Sequence, residues 1–202
     1  METRGKKILI TLGVIVCIVF ILFKFFGGTY NNIVALEEDV NAQWAQVQNQ
    51  YQRRMDLIPN LVSTVKGYAS HESEVFSQVA DARSKAGGVV NVDSSILDDP
   101  EAFKKYQQVQ DSLSSSLQRL LMVTENYPQL KADQNFLALQ DQLEGTENRI
   151  STERNRFNEA VGIYNKFIRQ FPKNIIANMN GFRAKSYFEA SSEAQSAPKV
   201  EF

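Results

Sequence analysis

Residues 40–79 read VNAQWAQVQNQYQRRMDLIPNLVSTVKGYASHESEVFSQV, and their spacing decides the fold. Val40, Trp44, Val47, Tyr51, Met55, Ile58, Val62, Val65, Ala69, Phe76 and Val79 recur at steps of three and four, broken only at Glu72. That period draws one apolar stripe down a helix and is incompatible with the two-residue alternation of a half-buried strand. The pattern predicts a helix over residues 30–86, stopped by Gly87-Gly88 and preceded by Gly27-Gly28 as a hinge. Pro59 lies inside it, and a proline removes one backbone donor and crowds the turn before it. A kink or short break is therefore expected over residues 56–60.

Working outward, Asp99-Pro100-Glu101 is a helix start, with a capping carboxylate, proline in the first turn and an acid beside it. Phe103, Tyr106, Gln110, Leu113, Leu117, Leu120 and Thr124 form its stripe, which Tyr127-Pro128 closes. A third stripe runs through Ala132, Phe136, Leu139, Leu143, Ile150, Phe157, Val161, Tyr164, Ile168 and Phe171 and stops at Pro172. A short apolar piece follows at Ile175, Ile176 and Met179, then a last stretch to Phe188. Three long amphipathic helices must bury their stripes on one another. The fold class is all-α, an antiparallel four-helix bundle whose fourth element is either the C-terminal piece or a kinked half of the first helix.

Toward the N-terminus, residues 8–23 read ILITLGVIVCIVFILF, without a charge. Residues 8–26 as a helix span roughly 28 Å, the hydrocarbon thickness of a bilayer. The run is longer than a signal-peptide core and no small-x-small site follows it. Cys17 is preceded by Val14, Ile15 and Val16, too bulky for lipoprotein processing. The segment reads as an uncleaved anchor. Arg4, Lys6 and Lys7 precede it and only Lys24 flanks its far end, so the N-terminus is expected inside and the bundle outside the cytoplasm. The chain thus divides into a basic N-terminus (1–7), a membrane helix (8–26), the bundle (27–189) and a polar, flexible tail (190–202).

Twenty-two basic and 23 acidic residues give a net charge of −1. With four of the cations at the anchor, the rest is mildly acidic and carries no nucleic-acid footprint. The single cysteine lies in the span, so the bundle has no disulfide or thiolate zinc site. The lone histidine, His71, has only Glu74 well placed beside it on a helix, and a structural or capping role outweighs a metal. No phosphate loop, nucleophile elbow or paired-histidine motif occurs. The expectation is no enzyme and no cofactor. Arg53, Arg54 and Asp56, with Pro59 and Asn60, form a candidate interaction patch, set against a plain solvated helix face.

Residues 53–62, RRMDLIPNLV, continuing through Val65-Lys66-Gly67-Tyr68-Ala69 and His71-Glu72, resemble the signature of the LemA family. A second block agrees at Glu125-Asn126-Tyr127-Pro128, Asn135-Phe136, Leu139-Gln140, residues 143–150, Tyr164-Asn165 and Phe171-Pro172, and so does the ending Pro198-Lys199-Val200-Glu201-Phe202. The resemblance implies a membrane-anchored four-helix bundle without an established enzymatic activity. Where some members carry Tyr-Asn in the third helix, this chain has Phe157-Asn158.

An anchor, a rigid bundle and no convergent reactive groups point to a structural or adaptor protein of the bacterial inner membrane. Its expected partners are the lipid bilayer, further copies of itself or other envelope proteins, and no nucleic acid. The rival expectation is a sensor or ligand-binding bundle with a polar cleft. Val200 and Phe202 would share one side of an extended strand, a candidate docking element.

Overall fold

The computed structural model describes residues 2–88 and 92–189, with side chains from residue 11 onward. It is all-α, with no strand among the described residues. The first element, α1, is one unbroken helix over Glu2–Tyr68, and its 67 residues make a rod about 100 Å long. It is followed by α2 (Ser73–Gly87), a short 3-10 helix (Ser94–Asp98), α3 (Pro100–Thr124), the single turn α4 (Pro128–Lys131), α5 (Gln134–Arg169) and α6 (Lys173–Met179).

Neither of the two expected interruption points breaks the helix. Gly27-Gly28 sits within α1 and is no hinge, because glycine permits a bend without forcing one and each costs a helix only about 1 kcal/mol. Pro59 also lies inside α1, on its exposed face. One lost backbone bond there is outweighed by the buried residues Ile58 and Leu61 on either side of it. The break falls instead at residues 69–72, where the helix ends after Tyr68 and α2 begins at Ser73. Glu72 leaves helical geometry (φ −89°, ψ 43°) and its carboxylate accepts from the Tyr127 hydroxyl at 3.0 Å.

Helix starts follow the sequence closely. Asp99 accepts from the amides of Glu101 and Ala102 at the head of α3, and Asp133 from those of Asn135 and Phe136 at the head of α5. At the end of α6, Gly181 adopts φ +78° and the chain reverses through Phe182 N–H to Ala177 O and Gly181 N–H to Asn178 O. Only a residue without Cβ takes that conformation at no cost.

The core has two cells. The one nearer the anchor gathers Ile33, Val40, Trp44, Val47 and Tyr51 of α1 with Phe103 and Tyr106 of α3, Phe157, Val161 and Tyr164 of α5, and Leu97, Ile176 and Phe188. The distal one joins Met55, Ile58, Leu61 and Val65 to Phe76, Val79 and Ala82 of α2, with Leu113, Leu117 and Leu120 of α3 and Phe136 and Leu143 of α5. α1 and α5 run antiparallel through both. The fourth place is shared. In the distal cell α2 fills it, completing an up-down-up-down bundle; in the proximal cell the 3-10 helix and an extended strap, residues 182–189, take its place. Both alternatives for the fourth element are therefore realised, at different levels.

Along α1 the stripe is a strict heptad, 40-44-47-51-54-58-61-65, every position buried. It departs from the expected stripe at two positions: Arg54 and Leu61 lie deepest, where Met55 and Val62 were expected. A repeat of 3.5 residues keeps one seam facing its partners over a long helix, whereas 3.6 drifts around it.

Candidate functional site: anchor, buried arginine and clamped strap

From Thr11 to Phe26 the helix is exposed on every side, with Leu12, Val16, Phe20 and Phe23 among its large open side chains. A helix apolar all round and buried by nothing needs an apolar solvent. The described helix is long and apolar enough to cross a membrane. Lys24 at its far end places its ammonium 5.9 Å from the Phe20 ring centre. The side chains of Arg4, Lys6 and Lys7 lie outside the described residues.

Of the candidate patch, Arg53, Asp56, Pro59 and Asn60 are exposed. Arg54 is not part of that surface. It is 1% exposed, because the heptad turns it inward between the two core cells. Its Nη1 donates to Ser114 Oγ at 2.6 Å and to Glu147 Oε1 at 3.0 Å, and its Nη2 to Gln110 Oε1 at 2.6 Å. The guanidinium also lies 5.0 Å from the Tyr51 ring centre. One cation thus ties α1, α3 and α5 at one level, with Glu147 still in contact with water. Burial pushes the Tyr51 phenol up to about 12 and raises Tyr106 and Tyr164 as well. These three are neutral packing groups.

The strap is held through its backbone. Asn165 donates from Nδ2 to Lys185 O and accepts from Lys185 N–H, both at 2.9 Å. Asn158 does the same for Phe188, again at 2.9 Å each way. Gln107 of α3 closes on Glu189 at 2.8 and 3.2 Å. Seven helical residues advance about 10.5 Å and three extended residues about 10 Å, so two asparagines one heptad apart meet strap residues 185 and 188 in register. Lys185 is 7% exposed and ion-paired to Glu37 and Asp98, at 2.8 Å each. Burial opposes its charge, but the hydrogen bonds to Asp98 and Glu37 together hold its pKa above the ordinary lysine value. Phe188 drops into the aromatic cluster, 4.9 Å from Phe103 and 5.4 Å from Phe157.

Sequence reading missed this clamp, although the repeated aromatic-asparagine pairs Phe157-Asn158 and Tyr164-Asn165, seven apart, carried the signal. His71 is exposed, and no group of three metal-ligating side chains occurs among the described residues. Val200, Phe202 and the rest of the tail lie outside the described residues.

Comparison with known proteins finds relatives along most of the chain. Magnetosome protein MamQ 2 of Paramagnetospirillum magneticum is 28% identical over 179 residues, covering 79% of this chain and 64% of its own. MamQ of Magnetospirillum gryphiswaldense is 27% identical over 178 residues, with the same shares. Protein LemA of Metamycoplasma hominis is 21% identical over 171 residues, 85% of this chain and 74% of its own. The chain spans just under two thirds of the length of the MamQ relatives. The LemA family model matches residues 43–202, all of the chain beyond the anchor and the first turns of the bundle, and this membrane-associated helical protein belongs to the LemA family.

Proposed function

We propose that the chain is a non-catalytic adaptor of the bacterial cell envelope, anchored in the inner membrane with its N-terminus inside and its bundle outside the cytoplasm. It acts by protein–protein contacts and assembles with further copies or other envelope proteins. The observation that carries this reading is the continuity of α1, which leaves the membrane segment and becomes the central heptad helix of the bundle without an intervening linker. Such a rod holds every bundle face at a fixed height and angle above the bilayer. The strap delivers residues 190–202 from a fixed point beside Gln107, which suits a tail that reaches for a partner.

Cross-linking in intact membranes, followed by affinity recovery of the full chain and of a variant lacking residues 198–202, tests the adaptor role. Discrete partner or oligomer bands that weaken without the tail are expected; a monomer in every sample refutes it. A reporter active only outside the cytoplasm, fused after Phe202, should be active.

A second reading, a ligand-binding bundle, draws on one observation. The hydroxyls of Tyr51 and Tyr106, Arg54 Nε and Gln110 Nε2 are all buried at one level without a hydrogen-bond partner. Native mass spectrometry of the detergent-extracted chain would reveal a small polar guest there, and a bare mass rejects it.

A further inference from the structure

We propose that the membrane-facing end of the bundle, built from the α5–α6 turn and α6, is a second membrane-binding site that seats on the anionic headgroups of the same bilayer α1 crosses. This rests on the anchor reading and goes beyond it.

Three observations converge. The first is height. Thr29 is already buried by the bundle, three residues beyond Phe26, and Tyr30 packs its ring 5.7 Å from that of Phe182. Three helical residues advance about 4.5 Å, and Ile33, in one core cell with Ile176 and Ala177, stands only about 10 Å above Phe26. The headgroup layer itself is about 5–8 Å deep on each side. With no linker between them, the end of the bundle is held at the membrane surface.

The second is the apolar content of that end. Phe171 is 81% exposed and Met179 74%, with Ile175 open between them. Ile175 and Met179 are one turn apart on the side of α6 away from the buried Ile176 and Ala177. A four-residue spacing continues back to Phe171. Elsewhere on the described bundle, large exposed apolar side chains such as Met122 and Leu137 stand singly.

The third is charge. No carboxylate side chain occurs between Glu159 and Glu189, a stretch that carries Lys166, Arg169, Lys173, Arg183 and Lys185. Lys185 is committed to Glu37 and Asp98, whereas the other four form no ion pair among the described residues. Lys173 instead lies over the Phe167 ring at 3.8 Å and donates to Gln170. An apolar rim of Phe, Ile and Met whose own segment carries cations and no carboxylate has the composition of a surface-seated amphipathic element, attracted to anionic lipid and dipping its apolar side chains below the phosphates.

The test uses the full chain, a single copy per nanodisc of mixed phosphatidylcholine and phosphatidylglycerol, with an environment-sensitive fluorophore on one thiol. Native Cys17 reports the span; Cys17→Ser combined with Met179→Cys reports α6; Cys17→Ser with Met122→Cys reports the distal end. Deep-placed nitroxide lipids should quench the label at position 17, headgroup-level nitroxides the label at 179, and neither the label at 122. Adding Arg169→Gln, Lys173→Gln and Arg183→Gln should weaken headgroup-level quenching of the label at 179 in phosphatidylglycerol discs and leave the label at 17 unchanged. A label at 179 that behaves like that at 122, while 17 is quenched from the interior, overturns the surface contact and leaves the anchor standing. A label at 17 in water overturns both. Shielding at 179 that grows with protein concentration in detergent and is missing from single-copy discs identifies a second copy as the occupant and also overturns the proposal.

Discussion

Nη2 of Arg54 donates to Oε1 of Gln110 at 2.6 Å across the α1–α3 interface, and both residues are 1% exposed. Both lie on the buried stripes of their helices, so two polar side chains sit where apolar ones would otherwise pack. Arg54→Ala removes the cation and leaves Gln110 Oε1 buried without a donor. A loss of about 3 kcal/mol is expected, read from chemical unfolding of the detergent-solubilised chain. The double change Arg54→Met with Gln110→Leu removes both fully buried members and leaves Ser114 donating to the water-exposed Glu147, and it should lie within about 1–2 kcal/mol of the parent or above it. If the double variant falls as far as the single one, the pair is not an isolated polar insertion in the seam.

The strap depends on amide side chains that both donate and accept. Asn158→Asp and Asn165→Asp each keep the acceptor and lose the donor, and each should cost about 1–3 kcal/mol. The double variant should free residues 182–189, with hydrogen exchange at the amides of Lys185 and Phe188 rising far more than in α3. Unchanged protection at those two amides would mean that Phe188 packing alone holds the strap.

Alkaline pH probes the proximal cell. Tyr51, Tyr106, Tyr164 and Lys185 all have pKa values raised by the fold, the tyrosines chiefly through burial. Their protonated forms are favoured in the native state. Their contribution is therefore fully present below about pH 10 and is lost as pH climbs toward and through about 12, the value for Tyr51. Tyrosinate absorbance from these three should appear together with loss of helical ellipticity; a smooth titration in a still-folded chain contradicts it.

Pro59 lies on the solvent side of an unbroken helix, so Pro59→Ala restores one backbone bond and disturbs no core contact. Stability should rise, by at most about 3 kcal/mol. A variant that unfolds at lower denaturant than the parent would show that the proline shapes the seam around Ile58 and Leu61.

How much of this was legible beforehand follows from what each feature depends on. The three long stripes, the cap at Asp99 and the apolar run at residues 8–26 are local: a side chain's face on a helix and an unsatisfied helix N-terminus are set within one or two turns. The all-α class followed from them, while the family resemblance rests on the residue runs at 53–72 and 125–172 themselves. At Pro59 the sequence left a kink and a break open, and the break is excluded by packing on Leu113, Leu117 and Leu120, more than fifty residues away.

Arg54 was misplaced for a related reason. Single-helix periodicity favours apolar residues and steps over a cation to Met55; only the packing of α1 on α3 and α5 imposes the heptad register that carries Arg54 inward, where Gln110, Ser114 and Glu147 are waiting. The strap, the sharing of the fourth bundle position and the cationic rim beside Phe171 and Met179 likewise belong to the tertiary structure. Asn158 and Asn165 share a heptad spacing, but nothing local to them brings in residues 107, 185 and 188. The sequence by itself determined which segments are helical and which one is fit for lipid, because those are properties of a face or a run. Which buried polar group meets which, and which end of the bundle lies nearest the apolar segment, were decided only when α5 folded back along the bundle half of α1.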